Sequence, residues 1–399
     1  VRKPRLAFVV QRYGPDVVGG AESLCRLLAE HLRGDFDIEV LTTCARDHVT
    51  WRDHYKPGGT KVNGVKVRRF RVDFERNILE FHEVSRSVLG GRHSAADEEM
   101  WMKAQGPFST GLINYVMKHA GAYDVFGFMT YLYATTFYPL PHVARKAVLI
   151  PTAHDERPIY LSLFDHVFGW PRRLVCCTQE EVRFIEKRFG IPPGRMTVVG
   201  GGIDIRGVSE HDPAWATFRD RLPRDAARAI YVGRLEGAKG GPMMLEYFVR
   251  YRRSHPEHDL QLLLVGRGDL EVPELPCIHR TGFVSNAFKH AAIRDIDVMI
   301  IPSAYESLSL VALEAWREGR PVLVNGQSEV LKGHCRRGCG GLWYESYEEF
   351  REGLAWLLDH PAEAGAMGRQ GRRYARENYS WPVVRNRFRK GVQLVLDKS

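Results

Sequence analysis

The chain has 399 residues, 44% of them hydrophobic and 26% charged, with a formal net charge of +9. These values predict a globular chain of two domains, or three, with enough apolar material for large cores, and they exclude disordered and fibrous classes. No apolar run reaches the ~18 residues of a membrane-spanning helix, and the seven scattered cysteines are no disulfide framework but fit a reducing cytoplasm.

Val1-Arg2-Lys3-Pro4 leads straight into a strand, so the reading includes no signal peptide. That strand is Arg5-Leu6-Ala7-Phe8-Val9-Val10, a continuous apolar run of the buried type. A glycine-bearing turn over 14–20 follows, then an amphipathic helix over 22–32 and a strand over 38–41. Further strands are expected at 64–70, 124–128, 147–150 and 173–177. Residues 74–108 depart from this alternation, carry helical stretches with Trp101, and read as an insertion. Gly200-Gly201-Gly202 interrupts the pattern, and the domain boundary is expected near Met196 to Val208. The second half opens on the strand Ala229-Ile230-Tyr231-Val232 and turns at Gly233. A helix over 242–253 and strands over 260–265 and 297–301 follow, then a helix bearing Glu314 and a strand over 321–324. The last segments, 362–399, read as helices, with a fresh start at Trp381-Pro382 behind Ser380 as cap. Strands alternating with helices mean α/β domains with parallel sheets covered on both faces. The expected division is 1–200, 201–379 and a final helix over 380–399 that packs back on the first domain.

Two carboxylates, Glu306 and Glu314, frame the most informative stretch. A strand that feeds a helix in an α/β sheet places the intervening turn at the carboxyl edge, where ligands bind. Eight helical steps would separate the two by about 12 Å along the axis. That is too far for one catalytic pair and suits two grips on an elongated ligand. His334, Cys335 and Cys339 are three clustered metal-ligand types, but no second Cys-X2-Cys follows, and no metal is expected. Trp101, Trp170 and Tyr160 are stacking surfaces for an acceptor, weighed against ordinary core packing. The spread-out positive charge admits anionic ligands or peripheral contact with an acidic membrane. No homeodomain, zinc-finger or RNP-type pattern is present, and nucleic acid is set aside as a partner.

Glu306-Ser307-Leu308-Ser309-Leu310-Val311-Ala312-Leu313-Glu314-Ala315, followed by Gly319 and Pro321-Val322, resembles the retaining glycosyltransferases of the GT-B fold, family 4 (glycosyltransferase group 1). Gly19-Gly20-Ala21-Glu22, His154-Asp155, Gly233-Arg234 with Lys239-Gly240, and Gly266-Arg267-Gly268-Asp269 carry the resemblance over nearly the whole chain. Most relatives have Gly where this chain has Ser309.

The resemblance implies two Rossmann-like domains facing each other across a cleft, the first for the acceptor and the second for a nucleotide-sugar donor, UDP slightly favoured over GDP. It implies that Arg234 and Lys239 hold the donor diphosphate and stabilise the leaving group. Glu314 accepts the ribose hydroxyls, for which two carboxylate oxygens suit a vicinal diol, and Glu306 contacts the transferred sugar. Ser307, Leu308, Ser309 and Leu310 bind the donor, with the backbone N–H groups of Leu308 to Val311 facing the phosphates at the helix start. Gly19, Gly20, Gly233 and Gly266 let backbone approach the donor. His154 contacts the sugar and the reaction centre, and Asp155 and Glu156 orient it or bind acceptor hydroxyls, as Trp101 would. No metal is implied, since cations neutralise the diphosphate. The acceptor is left open among a saccharide, a lipid-linked sugar and a small molecule, with its selection expected in the 74–108 insertion.

Two rival classes are weighed. A nicotinamide-dependent oxidoreductase needs Gly-x-Gly-x-x-Gly after a first strand. Gly14-Pro15-Asp16-Val17-Val18-Gly19-Gly20 lacks that spacing. A catalytically silent basic scaffold on membrane or polyanion would have no use for Arg234, Lys239, Glu306 and Glu314 together.

Overall fold

The computed structural model describes residues 2–17, 19–204 and 212–397. The chain divides into two compact units, Val1–Gly202 with Trp381–Ser399, and Ile203–Ser380. Part of the boundary expected over Met196 to Val208, and Val18 of the first turn, lie outside the described residues.

Unit 1 holds eight strands: β1 (Arg5–Val10), β2 (Asp37–Thr43), β3 (Gly58–Val62), β4 (Val65–Phe70), β5 (Val125–Met129), β6 (Ala147–Ile150), β7 (Arg173–Cys176) and β8 (Met196–Val198). Their order across the sheet is β3-β4-β2-β1-β5-β6-β7-β8. All neighbours are parallel except β3 on β4. The antiparallel edge departs from the all-parallel expectation. Asn63 and Gly64 both have positive φ, 47° and 79°, which is the two-residue turn that joins twisted strands into a hairpin. β1 is central and apolar on both faces. Ala7 and Val9 join one core cluster with Phe126, Phe128 and Leu149. Phe8 lies 6.0 Å from Phe388 of the helix Trp381–Leu396.

The insertion is a pair of helices, Ile78–Gly90 and Ala95–Gln105. Asn77 caps the first through the N–H groups of Leu79 and Glu80, and Ser94 with Asp97 forms a capping box on the second. Trp101 is 2% exposed in the core and donates its indole N–H to Ser85 Oγ at 2.9 Å. This corrects the acceptor-stacking expectation: a ring enclosed by Phe81 and Phe164 has no face to offer.

Unit 2 holds β9 (Arg228–Val232), β10 (Gln261–Val265), β11 (Ile278–Gly282), β12 (Val298–Ile301), β13 (Val322–Asn325) and β14 (Gly341–Tyr344). Their order is β11-β10-β9-β12-β13-β14, parallel throughout. Ala229, Tyr231, Leu262, Leu264, Val298 and Ile300 share its core. The order turns back between β9 and β12, the position where such sheets open a crevice at their carboxyl edge.

Candidate active site

The carboxyl ends of β9, β10 and β12 bring three loops of unit 2 together. Gly233 donates its N–H to the Val265 carbonyl at 3.0 Å. A Cβ on Gly266 would come within 1.8 Å of the Gly233 carbonyl oxygen, so only glycine allows these two loops to touch. The turn Gly237–Lys239 closes on Gly240, whose φ is 76° and whose Cβ position lies 2.4 Å from the Pro302 carbonyl oxygen at the end of β12. This contact brings Lys239 to Glu306, with Nζ 3.0 Å from Oε1. Arg234 lies 3.1 Å from Glu236, and its carbonyl accepts the Tyr231 hydroxyl at 2.6 Å.

The helix after β12 is Leu310–Arg317. It opens later than expected, so Glu306, Ser307, Leu308 and Ser309 precede it. The 12 Å helical spacing therefore does not apply across the whole interval. Ser309 occupies the N-cap position in the left-handed region, at φ 62°, and makes no side-chain cap bond. Its hydroxyl is buried and unpartnered. The backbone here has a conformation glycine adopts without strain. The first N–H groups of the helix are thus left without a side-chain cap. His334 fixes the loop from below: its Nε2 is 3.0 Å from the Leu308 carbonyl and its Nδ1 3.0 Å from the Tyr374 hydroxyl. Those contacts account for His334 structurally. Among the described residues no group of three or more His, Cys, Asp and Glu is placed to hold a metal ion.

Glu314 projects from this helix. Its Oε1 accepts Lys289 Nζ at 2.6 Å, while its Oε2 is buried and unpartnered. Lys289, on the helix Asn286–Arg294, escaped the sequence reading, because a lone Lys on an amphipathic helix carries no motif.

In unit 1, Gly19 precedes the helix Gly20–His31 and lies over Glu22, whose Oε2 is 2.1 Å from the position a Cβ would take. Gly20 has open space at that position. Glu22 is buried against Arg12, whose Nε donates to Oε1 at 2.9 Å. His154 follows β6, with Nδ1 3.3 Å from Glu156 Oε1, and the same oxygen accepts the Tyr131 hydroxyl at 2.6 Å. Glu156 thus stands beside the imidazole. Asp155 is exposed and accepts the Tyr160 hydroxyl at 2.7 Å. Behind the loop lies Glu181, also missed from sequence, which accepts the N–H groups of Ala153 and Cys177. Burial pushes its carboxyl up to about 7, against the lowering effect of those two N–H bonds and of nearby His154.

Two Rossmann-like α/β units, each with a parallel core to its sheet, are the architecture of the GT-B fold, and solved glycosyltransferases share it. Residues 226–360 match the model of the family described as Glycosyl transferases group 1. An uncharacterized glycosyltransferase of Methanocaldococcus jannaschii is 26% identical over 89% of this chain and 88% of its own length. Other curated glycosyltransferases align over 49% to 62% of theirs. Among solved structures, sucrose-phosphate synthase of Thermosynechococcus elongatus is similar over 100% of both chains, with a TM-score of 0.71 and 15% identity. Anabaena HepE in complex with UDP-glucose is similar over 98% of this chain and 99% of its own, with a TM-score of 0.67 and 14% identity. These last two likenesses concern the fold.

Proposed function

We propose that the protein moves a sugar from a nucleotide-sugar donor, a UDP-sugar before a GDP-sugar, to a hydroxyl acceptor with retained anomeric configuration and no metal. The observation that carries this is Glu314: one oxygen is held by Lys289 and the other is buried with no partner, a fixed acceptor suited to a ribose hydroxyl. Arg234 and Lys239 supply cations for a diphosphate beside an uncapped helix start, which favours anions. Glu306, paired with Lys239 in the free protein, faces the sugar. In the step itself the bond from the anomeric carbon to the diphosphate breaks. The acceptor oxygen bonds to that carbon on the same face, and its proton passes to the leaving phosphate oxygen. His154 stands at the reaction centre. A front-face course, without a covalent intermediate on a carboxylate as in retaining glycosidases, is what the family resemblance implies. The acceptor class stays with saccharides, lipid-linked sugars and small hydroxyl compounds. Seven free thiols support a reducing, cytoplasmic setting, and the +9 charge supports contact with acidic membrane. Among the described residues no helix is long and apolar enough to cross a membrane.

The test is thermal unfolding with UDP, GDP, ADP, dTDP and NAD, each in excess and without added metal. A ligand at about 100 times its Kd adds ~2.7 kcal/mol. A shift with one nucleoside diphosphate, lost in Glu314→Ala, is the expected result. A shift with NAD alone would replace the reading by an oxidoreductase, and silence from all five would favour a scaffold.

A further inference from the structure

The loop that carries His154, Asp155 and Glu156 runs from the end of β6 to the helix Leu163–Gly169, and a buried carboxylate holds each end. At the near end Glu181 accepts the Ala153 N–H at 2.6 Å. At the far end Glu98 accepts the Ser162 N–H at 3.0 Å, the Ser162 hydroxyl at 2.8 Å and the Leu163 N–H at 2.8 Å. His93 Nε2 lies 2.9 Å from the same carboxylate. Glu98 is 3% exposed. It belongs to Ala95–Gln105, the second helix of the insertion, more than sixty positions before the groups it binds. A carboxylate withdrawn from water is costly unless its lone pairs are filled. Here neighbouring donors fill them, and three of those bonds come from one loop. Burial alone would push the Glu98 carboxyl up, yet these bonds hold it below its usual range and keep it an ionised acceptor. The arrangement is a tether between the insertion and the loop bearing the proposed reaction-centre histidine.

We propose that Glu98 is a positioning residue for glycosyl transfer: through it the helical insertion fixes the far end of the His154 loop and thereby the place His154 takes at the reaction centre. This rests on the reading of His154 given above. Misplacing a catalytic group by about 1 Å can cost roughly 100-fold in rate. The proposed nucleotide contacts Arg234, Lys239 and Glu314 lie in unit 2 and are untouched by the tether. The loss therefore falls on kcat and not on the donor KM.

Two measurements test it. Glu98→Gln keeps the side chain's size but turns one acceptor oxygen into an amide donor facing N–H groups. Amide hydrogen exchange across 153–163 is expected to accelerate about tenfold or more in the folded variant, with β1 and β5 unchanged. Unchanged exchange in the loop overturns the tether. The second measurement is UDP release from UDP-glucose. kcat is expected to fall about tenfold or more with KM within about twofold, and Glu98→Gln with His154→Ala should be no slower than His154→Ala alone. Losses that multiply would overturn the proposal, because Glu98 would then act elsewhere. If Glu98→Gln does not fold, Ser162→Ala removes one of the three loop bonds and carries both tests with a smaller shift. His154→Ala at the wild-type rate overturns the reading of His154 and the catalytic half of the proposal. The exchange result still decides the tether.

Discussion

Ser309 shows how one side chain can be at odds with its backbone. A left-handed φ costs an ordinary residue about 1 kcal/mol, and a buried hydroxyl without a partner adds to that. Ser309→Gly is therefore expected to stabilise the folded chain by about 1 kcal/mol, a rise of a few degrees in calorimetric Tm. A lower Tm would mean that the hydroxyl has found a partner. Arg234 is the opposite case. Its pair with Glu236 is local and partly exposed, and such pairs contribute about 0–1 kcal/mol. Arg234→Ala should leave Tm within about two degrees of wild type while lowering turnover of a nucleotide sugar roughly 100-fold, the usual cost of one lost stabiliser of developing charge. Turnover near wild type would remove the leaving-group role. The resemblance implies Gly at 309, and Ser309 departs from it. The cost of that departure is not legible in the sequence, because a φ value belongs to the folded backbone.

At the scale of elements, the loop between β6 and the helix Leu163–Gly169 depends on a carboxyl that titrates where cells work. Glu181 has its folded pKa near 7, above the ordinary value for a free Glu, so the folded state holds a proton the unfolded state has already lost. Stability then falls as pH rises from about 4.5 to about 7 and levels off above, by an amount on the order of 3 kcal/mol. Glu181→Gln should flatten that slope in denaturant titrations at pH 5 and 8, whatever it does to stability overall. An unchanged slope would place the titration elsewhere. The long strands and the Glu314 helix were readable because apolar runs, turn glycines and a dense motif agreed. Asn63-Gly64 is an equally plain hairpin signal, which a strand expected from Gly64 onward overlaps. Lys289, Glu98 and Glu181 gave no signal at all. Each is an ordinary charged residue on a helix, and each has a partner at least 25 positions away.

For the whole molecule the chain order matters most at its end. The helix Trp381–Leu396 returns to unit 1 after unit 2 is complete. Trp381 stacks on His31 at 3.8 Å, Arg385 donates to Asp35, and Phe388 is fully buried near Phe8 and Phe36. The central strand of unit 1 is therefore covered on one face by residues that follow unit 2 in the chain. Removing the ring at 388 opens a cavity against β1, and Phe388→Ala is expected to destabilise unit 1 by about 3–5 kcal/mol. Unit 2 contains none of these contacts, so its unfolding should keep its wild-type midpoint and its shift with UDP. Hydrogen exchange followed separately in β1 and in β12 distinguishes the two. Faster exchange confined to β1, with UDP still protecting β12, is the expected pattern. Equal loss in both strands would mean that the units unfold as one body and that the nucleotide site depends on the last helix as much as unit 1 does.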